Sequence, residues 1–223
     1  FNAEDLSAMG HQNVQVMPLM LDLDRVHSTP SRDILKQFDD DVTTILFVGR
    51  CTPNKRVEDL LHTFYYFQKY VEPNSRLIHV GATDGTEIYH AMLLTISTGL
   101  DLENVYFAGK VSDAELTAYY QCADLFLCMS EHEGFCVPLL ESMAHQVPVL
   151  AYAAAAVPET LDGAGILFRE KDFAVIAETM GVACQPGPVR DSVLKGQQAR
   201  LDRYPTHDLE GMLRNHLGPL LTT

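Results

Sequence analysis

Two glutamates, Glu133 and Glu141, stand eight positions apart in Glu133-Gly-Phe-Cys-Val-Pro-Leu-Leu-Glu141. An apolar run, Ala123 to Cys128, precedes them and reads as a buried strand. Pro138 to His145 reads as a helix with the proline in its first turn. Strand, glycine-bearing turn and helix place both acids beside a helix N-terminus, whose unpaired N–H groups and partial positive charge suit a phosphate. The carboxylates would repel a phosphate and are better suited to accept hydrogen bonds from hydroxyls beside it. Phosphate on the amides and hydroxyls on the acids together describe a nucleotide-sugar. Glu141 lies about one turn into the helix, and helical side chains lean towards the N-terminus, so its carboxylate points back at such a ligand. The plainer alternatives are a helix-dipole acid at 141, worth ~0.3–1 kcal/mol, and an ordinary loop carboxylate at 133.

A second constellation is cationic. Gly49-Arg-Cys-Thr-Pro-Asn-Lys-Arg56 follows another apolar run. Arg50 offers a planar fork to phosphate and Lys55 a compact charge. Lys55 precedes a helical pattern, where the dipole disfavours a cation and a nearby anion would remove the conflict. Two solvated loop cations are the alternative. Arg56 reads as a surface residue.

Alternating strands and helices must position these groups. Strands are expected at Thr43–Gly49, Ser75–Gly81, Asn104–Gly109, Ala123–Cys128, Val147–Tyr152 and Gly165–Phe168. Helices are expected at Val57–Val71, Asp84–Leu100, Ser112–Gln121, Pro138–His145, Asp172–Ala183, Val189–Arg203 and His207–Leu221. Ser112-Asp-Ala-Glu115 has the form of a capping box. This pattern predicts an α/β fold, a Rossmann-like doubly wound parallel sheet of five to six strands with helices on both faces. Ligands of such sheets bind at the carboxyl ends of the strands, at the switch point, and Gly49, Gly81 and Gly109 all fall at such ends. The first ~30 residues fit no βαβ unit. Phe1 to Met9 reads as a helix remnant, Asn13 to Pro18 as a strand and Asp22 to Pro30 as a polar loop.

The chain has 223 residues, 47% of them hydrophobic, which suffices for one sizeable core. Sixteen basic and 30 acidic residues give a net charge of −14, which argues against a general nucleic-acid grip. Five scattered cysteines form no C-x-x-C pair and read as reduced thiols. Cys122 and Cys128 read as core. Cys136 lies inside the glutamate motif, but no His partner or basic neighbour is implied for it as a nucleophile. His132 and His145 read as surface or capping residues, and no metal-ligand cluster is evident. No apolar run reaches the ~18 residues that span a bilayer, and no signal peptide is visible.

The motif resembles the E-x7-E signature of retaining glycosyltransferases with the two-domain GT-B fold, family 4 in particular. The resemblance covers about Val42 to Leu220. It is carried further by Phe47-Val-Gly-Arg50 with Lys55, Val105 to Gly109, Ala123-Asp-Leu-Phe-Leu127, and Ala156-Val-Pro-Glu-Thr-Leu161 before Gly163-Ala-Gly165. It implies a UDP- or GDP-sugar as substrate, with no cofactor and no essential metal. Arg50 and Lys55, beside Gly49, would neutralise the departing diphosphate. Glu133 would bind hydroxyls of the transferred sugar, which the backbone of Gly134, Phe135 and Cys136 would face. Amides around Val137, Pro138 and Leu139 would help hold the phosphates. Glu141 would take the ribose hydroxyls, and Lys110 and Val111 would hold the base.

Such enzymes carry an N-terminal Rossmann domain with the acceptor site. Residues 1–29 resemble only the tail of that domain and the interdomain linker, and 30–223 the donor-binding domain. The expectation is therefore a cytoplasmic or membrane-peripheral hexosyltransferase whose carbohydrate or lipid-linked acceptor binds outside this chain. The fragment would be inactive alone. An inverting GT-B transferase, an NDP-sugar epimerase or a non-catalytic nucleotide-binding module are the alternatives. A receiver module would need acids at the end of the first strand, where Gly49-Arg50 stands instead.

Overall fold

Six short apolar runs form the six strands of one sheet in a computed structural model that describes residues 2–12, 14, 16, 19, 26, 28–204, 211 and 214. They are β1 (Thr43–Val48), β2 (Ser75–Val80), β3 (Val105–Gly109), β4 (Leu125–Cys128), β5 (Val149–Tyr152) and β6 (Ile166–Phe168). Every neighbouring pair is parallel, in the order β3-β2-β1-β4-β5-β6. β2 and β4 are buried along their whole length, as continuous apolar runs covered on both faces must be. The doubly wound reading of the sequence is thus the fold. The chain winds outwards from β1 to β3, then returns past β1 to start β4. The chain therefore leaves β1 and β4 in opposite directions, and this switch point is where sheets of this kind bind ligands.

The flanking helices are α1 (Asn2–Ala8), α2 (Arg32–Gln37), α3 (Val57–Tyr66), α4 (Glu87–Gly99), α5 (Asp113–Gln121), α6 (Val137–Ala144), α7 (Val157–Leu161), α8 (Phe173–Cys184) and α9 (Pro188–Asp202). The expected capping box is present at α5. Ser112 accepts from the Glu115 amide, and the Glu115 carboxylate accepts from Ser112 N–H at 2.8 Å. Asp172 caps α8 in the same spirit through the amides of Ala174 and Val175.

Three local readings need correction. The helix expected over Val57–Val71 is α-helical only to Tyr66 and closes in a π-turn over Phe67–Val71. Phe67 is fully buried there, so packing rather than periodicity sets the wider turn. α2 was not foreseen; only six residues long, it carries too few turns to show a period. Neither was α7, where Pro158 in the first turn starts a helix of five residues. Most of the strand expected at Asn13–Pro18, most of the loop at Asp22–Pro30 and most of the helix at His207–Leu221 lie outside the described residues.

One buried polar group ties the sheet to the loop after β1. His79, in β2, sits 2.9 Å from Gly49 O through Nε2, which therefore carries the proton, and it stacks on Phe47. Burial pushes its pKa down to about 4, against the carbonyl hydrogen bond that favours the charged form. In the unfolded chain the imidazole takes a proton below about pH 6.5, whereas the folded one refuses it until about pH 4. Its neutral form thus favours folding above pH 6.5, and this contribution drains away as pH falls from 6.5 to 4. The loss should approach about 3 kcal/mol. His79→Gln keeps a donor for Gly49 O without titrating. Urea midpoints at pH 7 and pH 4.5 should fall further apart in the wild type than in this variant, and equal drops would contradict the assignment.

Candidate donor-binding crevice

The loops after β1 and β4 meet across the crevice. Asn54 O accepts from Glu131 N at 3.0 Å, and Asn54 Nδ2 donates to His132 O at 3.2 Å. These bonds zip the two loops together and bring Lys55 against Glu133. Lys55 Nζ donates to Glu133 Oε1 at 2.6 Å, with side chains 19% and 8% exposed. A nearly dry ion pair at the switch point joins two residues 78 positions apart. The loop after β4 is fixed from its other side by α7. Ala156 N donates to Glu133 O at 3.3 Å, and Thr160 Oγ1 donates to Phe135 O. Asn2 of α1 reaches Gly134 O at 3.4 Å.

The remaining expected residues are distributed around this pair. Arg50, exposed, donates to Asp84 O at 2.8 Å and so faces the loop after β2 rather than Lys55. The two cations share a loop and engage different partners. Gly81 lets these loops pass: a Cβ there would lie 1.9 Å from Gly49 O. Gly134 is exposed, Phe135 half-buried and Cys136 buried at the head of α6. No side chain caps that helix, and Pro138 removes one amide from its first turn. Leu139 N instead bonds Cys136 O at 3.1 Å. Lys110 is exposed and Val111 half-buried after β3, on the same edge of the sheet.

Glu141 lies within α6 and accepts from Tyr120 Oη at 2.8 Å. Tyr120 is fully buried and stacks on His145 with ring centroids 5.0 Å apart. Val26, Asp113, Tyr120, Glu141 and His145 help to line a small recess of about 10 Å³. Burial, then the neighbouring carboxylate, pushes the Tyr120 hydroxyl well up, so it stays a donor to Glu141.

Some site residues were not legible in the sequence. Arg56 reads as a surface residue but is a clamp: its Nε lies 2.9 Å from Glu131, and Nη1 lies 3.1 Å from Glu58. Lys171, beyond β6, bonds Asp59 at 2.6 Å and Glu131 at 3.1 Å while covering the Tyr152 ring at 4.6 Å. Desolvation acts against ionisation of Glu131, but the bonds from Lys171 and Arg56 hold its carboxyl below the ordinary range. Together they hold the root of the loop that carries Glu133. Only the concentration of charge at Arg56-Val-Glu-Asp59 hinted at such a network.

Spacing suggested no ligand cluster, yet the fold brings Cys128, Glu133 and Cys136 together, each offering an atom within 4.8 Å of the others. The hydrogen bond from Cys136 to Cys128, and then burial, holds the Cys136 thiol well above its usual range. That disfavours it as a nucleophile although Lys55 is near.

Residues 42–184 match the family described as Glycosyl transferases group 1. The serotype-specific mannosyltransferase WbdA of Escherichia coli is 26% identical over 136 residues, which cover 61% of this chain and 17% of that protein. A GDP-mannose-dependent alpha-mannosyltransferase of Mycolicibacterium smegmatis is 35% identical over 105 residues, covering 47% of this chain and 24% of its own length. The chain thus spans well under half the length of these relatives. Among solved structures, HepE of Anabaena in complex with UDP-glucose superposes with a TM-score of 0.75 at 19% identity, over 92% of this chain and 57% of that one.

Proposed function

This chain belongs to the group 1 glycosyl transferases, and we propose that it forms the donor-binding half of a retaining, family 4-like enzyme moving a hexosyl group from an NDP-sugar to a hydroxyl acceptor. The observation that carries the reading is the Lys55–Glu133 pair at the switch point. A cation and an acid held side by side in a crevice match the two halves of a sugar diphosphate. Lys55, with Arg50 beside Gly49, meets the departing diphosphate. Glu133 accepts from hydroxyls of the sugar, whose face lies on the backbone of Gly134, Phe135 and Cys136. Val137 N–H at the head of α6 adds a donor to phosphate, in the stretch closed by Pro138 and Leu139. Glu141, oriented by Tyr120, takes the ribose. Lys110 and Val111 flank the base.

Stabilising charge on the leaving diphosphate and on the oxocarbenium-like sugar supplies the catalysis. Glu133 acts as a hydroxyl acceptor, already engaged by an ammonium group, rather than as a covalent nucleophile. No cofactor or metal enters this scheme. A UDP- or GDP-sugar is the proposed donor; the UDP-glucose complex of HepE and the GDP-mannose dependence named for the mycobacterial relative support these two bases. Among the described residues no helix is long and apolar enough to cross a membrane, and the proposed site of action is the cytoplasm or its membrane surface.

Acceptor recognition, of a carbohydrate or a lipid-linked sugar, is assigned to a further domain, since the relatives extend far beyond the shared stretch. Residues 1–29 would lead from it and 30–223 would hold the donor. Residues 1–223 alone should therefore bind donor without transferring it, and a longer enzyme should give a product that keeps the donor's anomeric configuration. Robust transfer by the 223-residue chain, or an inverted product, would contradict this.

A further inference from the structure

The chemistry proposed for Glu133 leaves two buried thiols beside it unused. Cys128 ends β4 and is fully buried; Cys136 heads α6 and is 7% exposed, as is Glu133. One ligand atom from each lies within 4.8 Å of the other two. Tetrahedral zinc with bonds of about 2.3 Å to sulfur and 2.0–2.2 Å to oxygen needs its ligand atoms roughly 3.5–3.8 Å apart. The three groups could reach that spacing by small side-chain shifts, from a strand end and a helix start whose connecting loop is pinned by Ala156 and Thr160.

Two local features are compatible with a ligand. Cys136 holds φ of 69°, a left-handed conformation that glycine adopts without cost, so the backbone gives no reason for a thiol there. Ser130 Oγ is fully buried against the Cys128 sulfur and hydrogen-bonds to it. It is a ready second-layer donor to a thiolate.

We propose that Cys128, Glu133 and Cys136 bind one thiophilic divalent cation, Zn²⁺ above all, and that the bound ion silences the donor site by taking Glu133 from the sugar hydroxyls. The silencing half rests on the donor reading given above; the binding half does not. The ion displaces one proton from each thiol, which passes to solvent. Two thiolates and one carboxylate then carry −3, the ion +2 and Lys55 +1, so the buried group is neutral. That balance is what a desolvated site requires. Two sulfur ligands select Zn²⁺ or Co²⁺ over Mg²⁺ and Ca²⁺. Three protein ligands leave a fourth position open. The ion is an inhibitor here, not a catalyst.

Cobalt titration of the metal-free 223-residue chain tests the site directly. One Co²⁺ per chain should bind with a near-ultraviolet thiolate-to-cobalt absorption, and Zn²⁺ should bleach it. Cys128→Ser and Cys136→Gly should each abolish or halve the band, and Cys122→Ser should leave it intact. Cys136→Gly suits the local backbone, so loss of the band there is not loss of fold. No band, or a band of undiminished intensity in Cys136→Gly, overturns the site. In a second arm, Zn²⁺ should weaken NDP-sugar binding at least tenfold in the wild type and far less in Cys128→Ser; equal NDP-sugar affinity with and without Zn²⁺ in the wild type overturns the silencing. A metal-free chain that binds no nucleotide at all would refute the donor reading instead, and the cobalt band would still decide the site.

Discussion

Glu133→Gln in the full-length enzyme should lower turnover by about 10²–10³-fold while nearly sparing affinity for the free nucleoside diphosphate. The side chain is almost isosteric, and its amide oxygen can still accept from Lys55, so the crevice should keep its shape. Lost are the negative charge and the second accepting oxygen. A sugar hydroxyl would meet an N–H there, and that mismatch matters most in the transition state, when the sugar gains positive charge. The diphosphate touches Lys55, Arg50 and the head of α6 in this scheme, none of which the change removes. Single-turnover rates beside calorimetric NDP affinities separate the two effects. An unchanged rate would remove Glu133 from the sugar site.

Gly81→Ala should cost about 3 kcal/mol of stability, at the upper end of the usual range for overpacking. The new Cβ would lie 1.9 Å from Gly49 O and 2.5 Å from Gly49 C, both backbone atoms. No flexible side-chain end can swing away, so the start of the β1 loop must move. That loop carries Arg50 and Lys55, so any folded fraction should also bind nucleotide more weakly. Gly99→Ala, at the end of α4 with nothing within 4 Å of the added carbon, is the matched control and should be neutral or slightly stabilising. Equal chemical-denaturation midpoints for the two variants would contradict the packing described at Gly81.

The sheet was legible because each strand is a short apolar run, the first three ending at or beside glycine, and because the helices between them carry a 3.6-residue period or a cap such as Ser112. Short or irregular elements were not. α2 and α7 are too brief to show a period, and the π-turn after Tyr66 answers to the burial of Phe67. Within the site, Glu133, Glu141 and Lys55 stood out through local motifs. Their partners did not: Tyr120 meets Glu141 from another helix, and Lys171 reaches Asp59 across 112 positions. Such pairings are set by the winding of the sheet, which no spacing within one segment records. The same holds for Cys128 and Cys136, eight positions apart and unlike a metal motif, until the strand–loop–helix turn folds one over the other.

The central claim is that the crevice between the loops of β1 and β4 binds a nucleoside diphosphate sugar. Thermal unfolding of residues 1–223 with UDP, GDP, ADP and their sugars tests it most directly. One base should stabilise the chain by about 2.7 kcal/mol at a hundredfold excess over its Kd. For a domain of this size that is roughly 5–10 °C. Lys55→Met should abolish most of the shift. No shift with any of these nucleotides, or a shift that Lys55→Met leaves intact, would contradict the assignment of the crevice.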